Sequence, residues 1–263
     1  VAVAVGFVLL PAISSTAKAD ELDSLINLDR AFRDEIFGES APRAYQGLIH
    51  DGETTITFVD DFGDTIGKTD FFLSLEWEYD YRYKATVHRN VQLVEVATIN
   101  FRLKSSLRHV IRLPNAHFHA DVWRSRLLGH EFDHVAVSLD HRPRIIFLEL
   151  CENLPNYRFS IKARAKPTET QIRTGIDRQI RRRQDAVLDL IRANYVLLDK
   201  ESTHGCVSMN DRNDFFSTLY TRDNLTTSRF AFTDEVSKLL EGEAFKSLRP
   251  RHVLVDPATL KVR

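Results

Sequence analysis

From Leu73 to Val87 every second residue is apolar, in the order Leu73, Leu75, Trp77, Tyr79, Tyr81, Tyr83, Ala85 and Val87, with Glu76, Glu78, Asp80, Arg82 and Lys84 between them. A period of two puts successive side chains on opposite faces of an extended chain. The stretch therefore predicts a long strand, or two joined without a strong turn, with one face buried against the rest of the chain. The alternation returns between Leu93 and Leu103 through Ala97, Ile99 and Phe101, and a short strand is expected at Val110 to Leu113, stopping at Pro114. Together with Thr54 to Val59, these runs describe an antiparallel sheet in the first half.

Beyond Pro114 the period changes. Asp121 can cap a helix from Val122 through Leu139, with Trp123, Leu127, Leu128, Val135 and Leu139 as its core contacts. Inside that helix stands Gly129-His130-Glu131-Phe132-Asp133-His134, the His-Glu-x-x-His spacing of zinc peptidases. Positions i and i+4 lie one turn apart on one face, so His130 and His134 can offer two imidazole nitrogens to one metal. Glu131 flanks the pair, placed to take a proton from water held at that metal. The competing reading is a solvated helix whose histidines pair with Asp133 or Asp140.

Further on, Ile145 to Cys151 and the alternation Tyr157, Phe159, Ile161, Ala163, Ala165 suggest strands, and Thr170 to Leu198 carries one apolar face of a long helix. Residues 213 to 221 and 233 to 247 suggest two more helices, and Val253 to Val255 a last strand. An amphipathic helix is expected over 20 to 37. The expected fold is α+β, an N-terminal antiparallel sheet followed by the His-Glu-x-x-His helix and a mostly helical C-terminal half.

A catalytic zinc usually takes three protein ligands and keeps a fourth position open. Asp140 follows His130 by the interval at which metzincins place their third ligand, but Val137 stands where that pattern needs glycine for a sharp turn. Glu149 can serve as a glutamate ligand. His204, beside Gly205 in a loop after the long helix, can reach back. Tyr195 and Tyr220 are candidates for stabilising an oxyanion.

These residues resemble a family, the predicted secreted zinc-dependent proteases of bacteria. The resemblance rests on Arg112-Leu113-Pro114, Trp123, Gly129 to His134, the long helix, Tyr195 and Glu201-x-Thr203-His204-Gly205, and spans roughly residues 90 to 206. It implies a zincin-like peptidase with His130, Glu131 and His134 at Zn2+, acting on a peptide or protein, and it favours His204 as functional. Phe132-Asp133 departs from the Gln-Gly common inside the family motif, and Tyr195 is four residues from Asp199 where the two are usually adjacent. A second resemblance competes: Thr203-His204-Gly205-Cys206 looks like the signature of L,D-transpeptidases, in which the cysteine is the nucleophile and the histidine its base. A third reading is a non-catalytic secreted binding module with a structural metal.

Residues 1 to 19, an apolar run ending in Ala17-x-Ala19, resemble a secretory signal peptide, leaving 20 to 263 as one domain. Export to the periplasm or beyond makes a disulfide between Cys151 and Cys206 an expectation. A formal net charge of −1 with 28% charged residues gives no electrostatic footprint for nucleic acid. No later stretch is apolar enough to insert stably in a membrane.

Overall fold

A single strand runs through the middle of the sheet and touches every other. The structure, a computed structural model, describes residues 41–60, 67–117, 122–209 and 211–250. In chain order they form α1 (Arg43–Asp51), β1 (Thr54–Val59), β2 (Lys68–His88), β3 (Val91–Pro114), 3-10 turns at Asn115–His117 and Val122–Arg124, α2 (Arg126–Leu139), α3 (His141–Glu152), β4 (Tyr157–Lys162) and α4 (Glu169–Ser202). Four short helices complete the order: α5 (Arg212–Thr218), α6 (Arg222–Thr227), α7 (Ser237–Glu241) and α8 (Glu243–Lys246). The expected signal segment, the 20 to 37 helix and the Val253 to Val255 strand lie outside the described residues. No helix among the described residues is long and apolar enough to cross a membrane.

β2 and β3 form a long antiparallel hairpin closed by Arg89 and Asn90, with Arg89 at φ 57°. The two separate runs expected at 93 to 103 and 110 to 113 are one strand. The polar stretch between them stays extended because Lys104, Ser105 and Ser106 pair with Glu76, Leu75 and Ser74. The ladder slips once, opposite Tyr79, where Asn100 adopts φ 52°, a left-handed conformation that asparagine tolerates well. On the other side of β3, β4 pairs antiparallel with Val91–Val96 and β1 pairs parallel with His109–Pro114. The sheet is therefore mixed rather than antiparallel: β2 intervenes in sequence between β1 and β3, so the chain re-enters beside β1 in the same direction.

The buried face of this sheet is covered by α2, α3 and α4, where Leu75, Trp77, Val94, Val96 and Ile111 share one core with Leu128, Val135, Ile146, Leu150, Ile176 and Ile180. α3 corrects the expectation of a strand at Ile145 to Cys151. Asp140 caps it by accepting from the Arg142 amide at 2.9 Å, Pro143 sits in the first turn where it forfeits no hydrogen bond, and Ile146, Phe147, Leu150 and Cys151 recur at helical spacing on the buried face. α2 begins later than expected, at Arg126, with Ser125 as its cap. The long helix α4 spans 34 residues and opens on a capping box between Thr168 and Gln171.

β3 carries a buried histidine that ties the sheet to α2. His109 is 0% exposed; its Nδ1 donates to the Gly52 carbonyl at 2.8 Å, which leaves Nε2, 2.6 Å from Ser138 Oγ, as an acceptor. Burial lowers its pKa to about 4, against a weaker opposing pull from the Gly52 carbonyl. An unfolded histidine titrates near 6.5, so between pH 6.5 and 4 the unfolded chain binds the extra proton. The stability His109 contributes is whole above pH 6.5 and is lost as pH falls toward 4, about 3 kcal/mol over that window. Denaturant titrations at pH 7 and pH 4 should therefore show a smaller loss for His109→Gln than for the parent chain.

Candidate metal centre

α2 is a helix with almost no exposed side: Leu127 through Ser138 are all buried, including His130, Glu131, Asp133 and His134. Each of those polar groups needs a partner from a neighbouring element. His130 and His134 stand one turn apart and turn their rings toward α4, with Nε2 atoms 3.2 Å from each other. Oδ1 of Asp199, in the last turn of α4, lies 3.1 Å from His130 Nε2 and 3.0 Å from His134 Nε2. These three residues form the group of ligand atoms, among the described residues, that could hold a metal ion.

The surroundings fix one tautomer. Ser202 Oγ donates its only hydrogen to the Leu198 carbonyl at 2.8 Å, so it can only accept from His130 Nδ1 at 3.1 Å. His130 therefore keeps a proton on Nδ1 and turns Nε2 to Asp199: protonated, Nε2 donates to that carboxylate, and once deprotonated its lone pair is the one a ligating imidazole offers. The loop after α4 is shaped to keep this contact. Thr203, His204 and Gly205 take positive φ values of 48°, 53° and 77° in succession, turning the chain sharply back over α2. At Gly205 a Cβ would meet His130 Cβ at 2.8 Å, so glycine is required by both backbone and space.

Glu131 is held from the opposite side by β2. Thr69 Oγ1 lies 2.7 Å from Glu131 Oε2 as a donor, and Gly67 passes so near that a Cβ there would collide with Oε1. Burial raises the pKa of Glu131, with the neighbouring His134 and His130 pulling it down. Asp133, on another side of the helix, meets Arg212 at 2.6 Å; burial pushes it up to about 6 despite that guanidinium. Phe132 packs against Tyr45 at a ring distance of 4.7 Å, so the residues between the histidines serve the core and the anchoring of α5. Asp199 behaves in the opposite way to Glu131. Burial would raise its pKa, but hydrogen bonds and charge from His130 and His134 hold it well below the usual carboxylate range.

Of the candidates for a third ligand, the structure brings none to the histidines and brings Asp199 instead. Asp140 is engaged by Arg142 at the start of α3, and Glu149 accepts from Asn153 at 2.9 Å on the same helix. His204 is 70% exposed, with Nδ1 3.6 Å from Asp199 Oδ1, and stands outside the metal-ligand group. Tyr195 lays its ring 4.5 Å from His134 but donates its hydroxyl to Ser138, and Tyr220 donates to the Val137 carbonyl. Both hydroxyls are thus engaged inside the fold. The expected disulfide does not exist: Cys151 is buried on α3, its thiol pushed up by burial, while Cys206 is exposed, and both are free. Among the described residues no hydrogen bond joins Cys206 to His204.

One signal in the sequence could have found Asp199. A carboxylate in the last turn of a helix faces the negative end of the dipole, so its presence there calls for a cationic partner. The chain matches no protein-family model, no curated protein and no solved structure.

The donor triangle fits a metal ion. A tetrahedral ion with bonds of 2.0–2.1 Å needs donors about 3.3 Å apart, close to the separations of 3.0, 3.1 and 3.2 Å found here. Elemental analysis and competition with a chelator should show loss of metal affinity by ~100-fold or more in His130→Ala, His134→Ala and Asp199→Ala. His204→Ala should stay close to the parent. Tight metal retention by Asp199→Ala would remove it from the ligand set.

Proposed function

We propose that the chain is an exported zinc-dependent peptidase of zincin-like fold. The observation that carries this is the convergence of His130 Nε2, His134 Nε2 and Asp199 Oδ1 beside a buried Glu131 that Thr69 orients. Two neutral nitrogens and one carboxylate oxygen suit zinc, and three protein ligands among the described residues, rather than four, favour a catalytic over a structural site. The His-Glu-x-x-His spacing and the resemblance to secreted zinc-dependent proteases support the same reading, and the Ala17-x-Ala19 run supports export.

Zinc held by His130, His134 and Asp199 would supply Lewis acidity toward a scissile carbonyl and lower the pKa of water. The chain's own part falls to Glu131. Its raised proton affinity suits a group that accepts a proton from the attacking water and later delivers it to the leaving amine. Thr69 donates to one carboxylate oxygen and leaves the other to do this work. Asp199, kept ionised by the histidines, balances the charge of the cation, and Ser202 keeps His130 in the ligating tautomer. Peptide substrates would approach from the side of His204, the exposed member of this neighbourhood.

Glu131→Gln preserves shape but cannot accept the proton. It should retain metal at the parent stoichiometry while peptide hydrolysis falls by ~10²–10⁴ in kcat. Hydrolysis of a casein or mixed-peptide substrate by the zinc-loaded parent, followed by mass spectrometry, reads this directly. Turnover undiminished in Glu131→Gln, or abolished in Cys206→Ala alone, would point to the cysteine chemistry instead.

A further inference from the structure

A second cavity, lined by none of His130, Glu131, His134 and Asp199, opens between the sheet and helices α3 and α4, with a volume of about 490 Å³. Its walls are mixed: Leu73, Leu75 and Leu107 of the hairpin, Phe147 of α3, and Val187 and Ile191 of α4 form an apolar side, and Ser138, Asp140 and His141 add polar groups. Gln184 interrupts the apolar side. It lies on the same face of α4 as Val187 and Ile191, lines the cavity, and is 4% exposed, yet its carboxamide makes no hydrogen bond with any described residue. Its carboxamide keeps accessible surface on the cavity side, and a position flanked by Val187 and Ile191 would accept leucine without loss of packing. An amide kept there without a protein partner points to a partner from outside the chain.

We propose that this cleft binds a small amphipathic molecule with an apolar body and one amide-like donor and acceptor pair, read by Gln184. The volume falls in the range of small-molecule sites. A carboxamide both donates and accepts, so the matching group must do both. An ionised head is disfavoured beside Gln184, because the cationic side chain at the cleft, Arg144, is exposed at its mouth, and a carboxylate placed deep among leucines would lack a counter-charge. The mouth itself is polar, with exposed Ser105, Ser106 and Glu53, as suits an opening that a ligand enters from water. This site stands apart from the reading of the metal centre.

The probe is N-phenyl-1-naphthylamine, an apolar fluorophore with one N–H, titrated into the full chain. Its emission should rise saturably at one probe per chain. Decanamide should displace it at a concentration ~3–10-fold lower than methyl decanoate, an apolar chain whose ester cannot donate. Gln184→Leu should still bind the fluorophore, lose the preference for the amide and melt no lower than the parent, since leucine keeps the packing beside Val187 and Ile191. Leu107→Phe should weaken all three ligands by filling the cleft; if that variant does not fold, the comparison with Gln184→Leu decides alone. No saturable emission, equal displacement by amide and ester, or a preference that survives Gln184→Leu would overturn the proposal. So would a lower melting temperature for Gln184→Leu, which would mean that water inside the fold already satisfies the amide.

Discussion

Burial of α2 on all sides is the constraint that arranges the rest. A helix so enclosed can keep two histidines, two carboxylates and a serine only if each meets a partner, because an unpaired polar group in that position costs stability and an unpaired charge costs more. The partners come from different parts of the chain: Thr69 from the start of β2, Arg212 from α5, Asp199 and Ser202 from the end of α4, His109 from β3. Four other elements are thus positioned by the polar residues of one helix. The site and the core are the same object seen from two sides.

The network continues through Ser138, which receives the Tyr195 hydroxyl and stands 2.6 Å from His109 Nε2. Tyr195 in turn lies against His134 and Phe71, at ring distances of 4.5 and 5.6 Å. His134 is consequently confined by packing where His130 is confined by a hydrogen bond. Two candidate ligands of the same chemical type are oriented by different forces, one by the shape of an aromatic neighbour and the other by Ser202.

Periodicity made the hairpin legible, because alternation over Leu73 to Val87 leaves few alternatives to a strand with one covered face. It failed at Ile145 to Cys151, where a short apolar run fits a strand or a buried helix equally well and the deciding feature was a cap, Asp140, at a junction between two helices. It also could not reveal that β1 pairs parallel to β3, since direction follows from connection and not from composition. His130, Glu131 and His134 were legible because their spacing is local. Asp199 was not: it reaches the histidines across the tertiary fold, and in sequence it is one acidic residue in a charged run. The attention drawn to His204 came from its neighbourhood, and that neighbourhood is where the chain folds over the histidines, but the carboxylate grouped with them lies on the helix before the turn. The disulfide expectation failed on burial: Cys151 packs in the core while Cys206 faces solvent.

The parallel pairing of β1 also bears on the order in which the molecule can assemble. The β2–β3 hairpin closes through a two-residue turn, and its rungs near Arg89 and Asn90 join residues adjacent in the chain, so it can zip outward on a microsecond timescale. The rung that pairs Thr69 with Ile111 is near the far end of that zipper, and β1, whose Thr54 pairs with His109, has to wait until the same stretch of β3 is in place. Thr69 is the residue that grips Glu131. The contact between Thr69 and Glu131 thus depends on pairing at the end of the hairpin farthest from its turn, so the most local part of the sheet and the clasp on this buried carboxylate lie at opposite ends of one ladder.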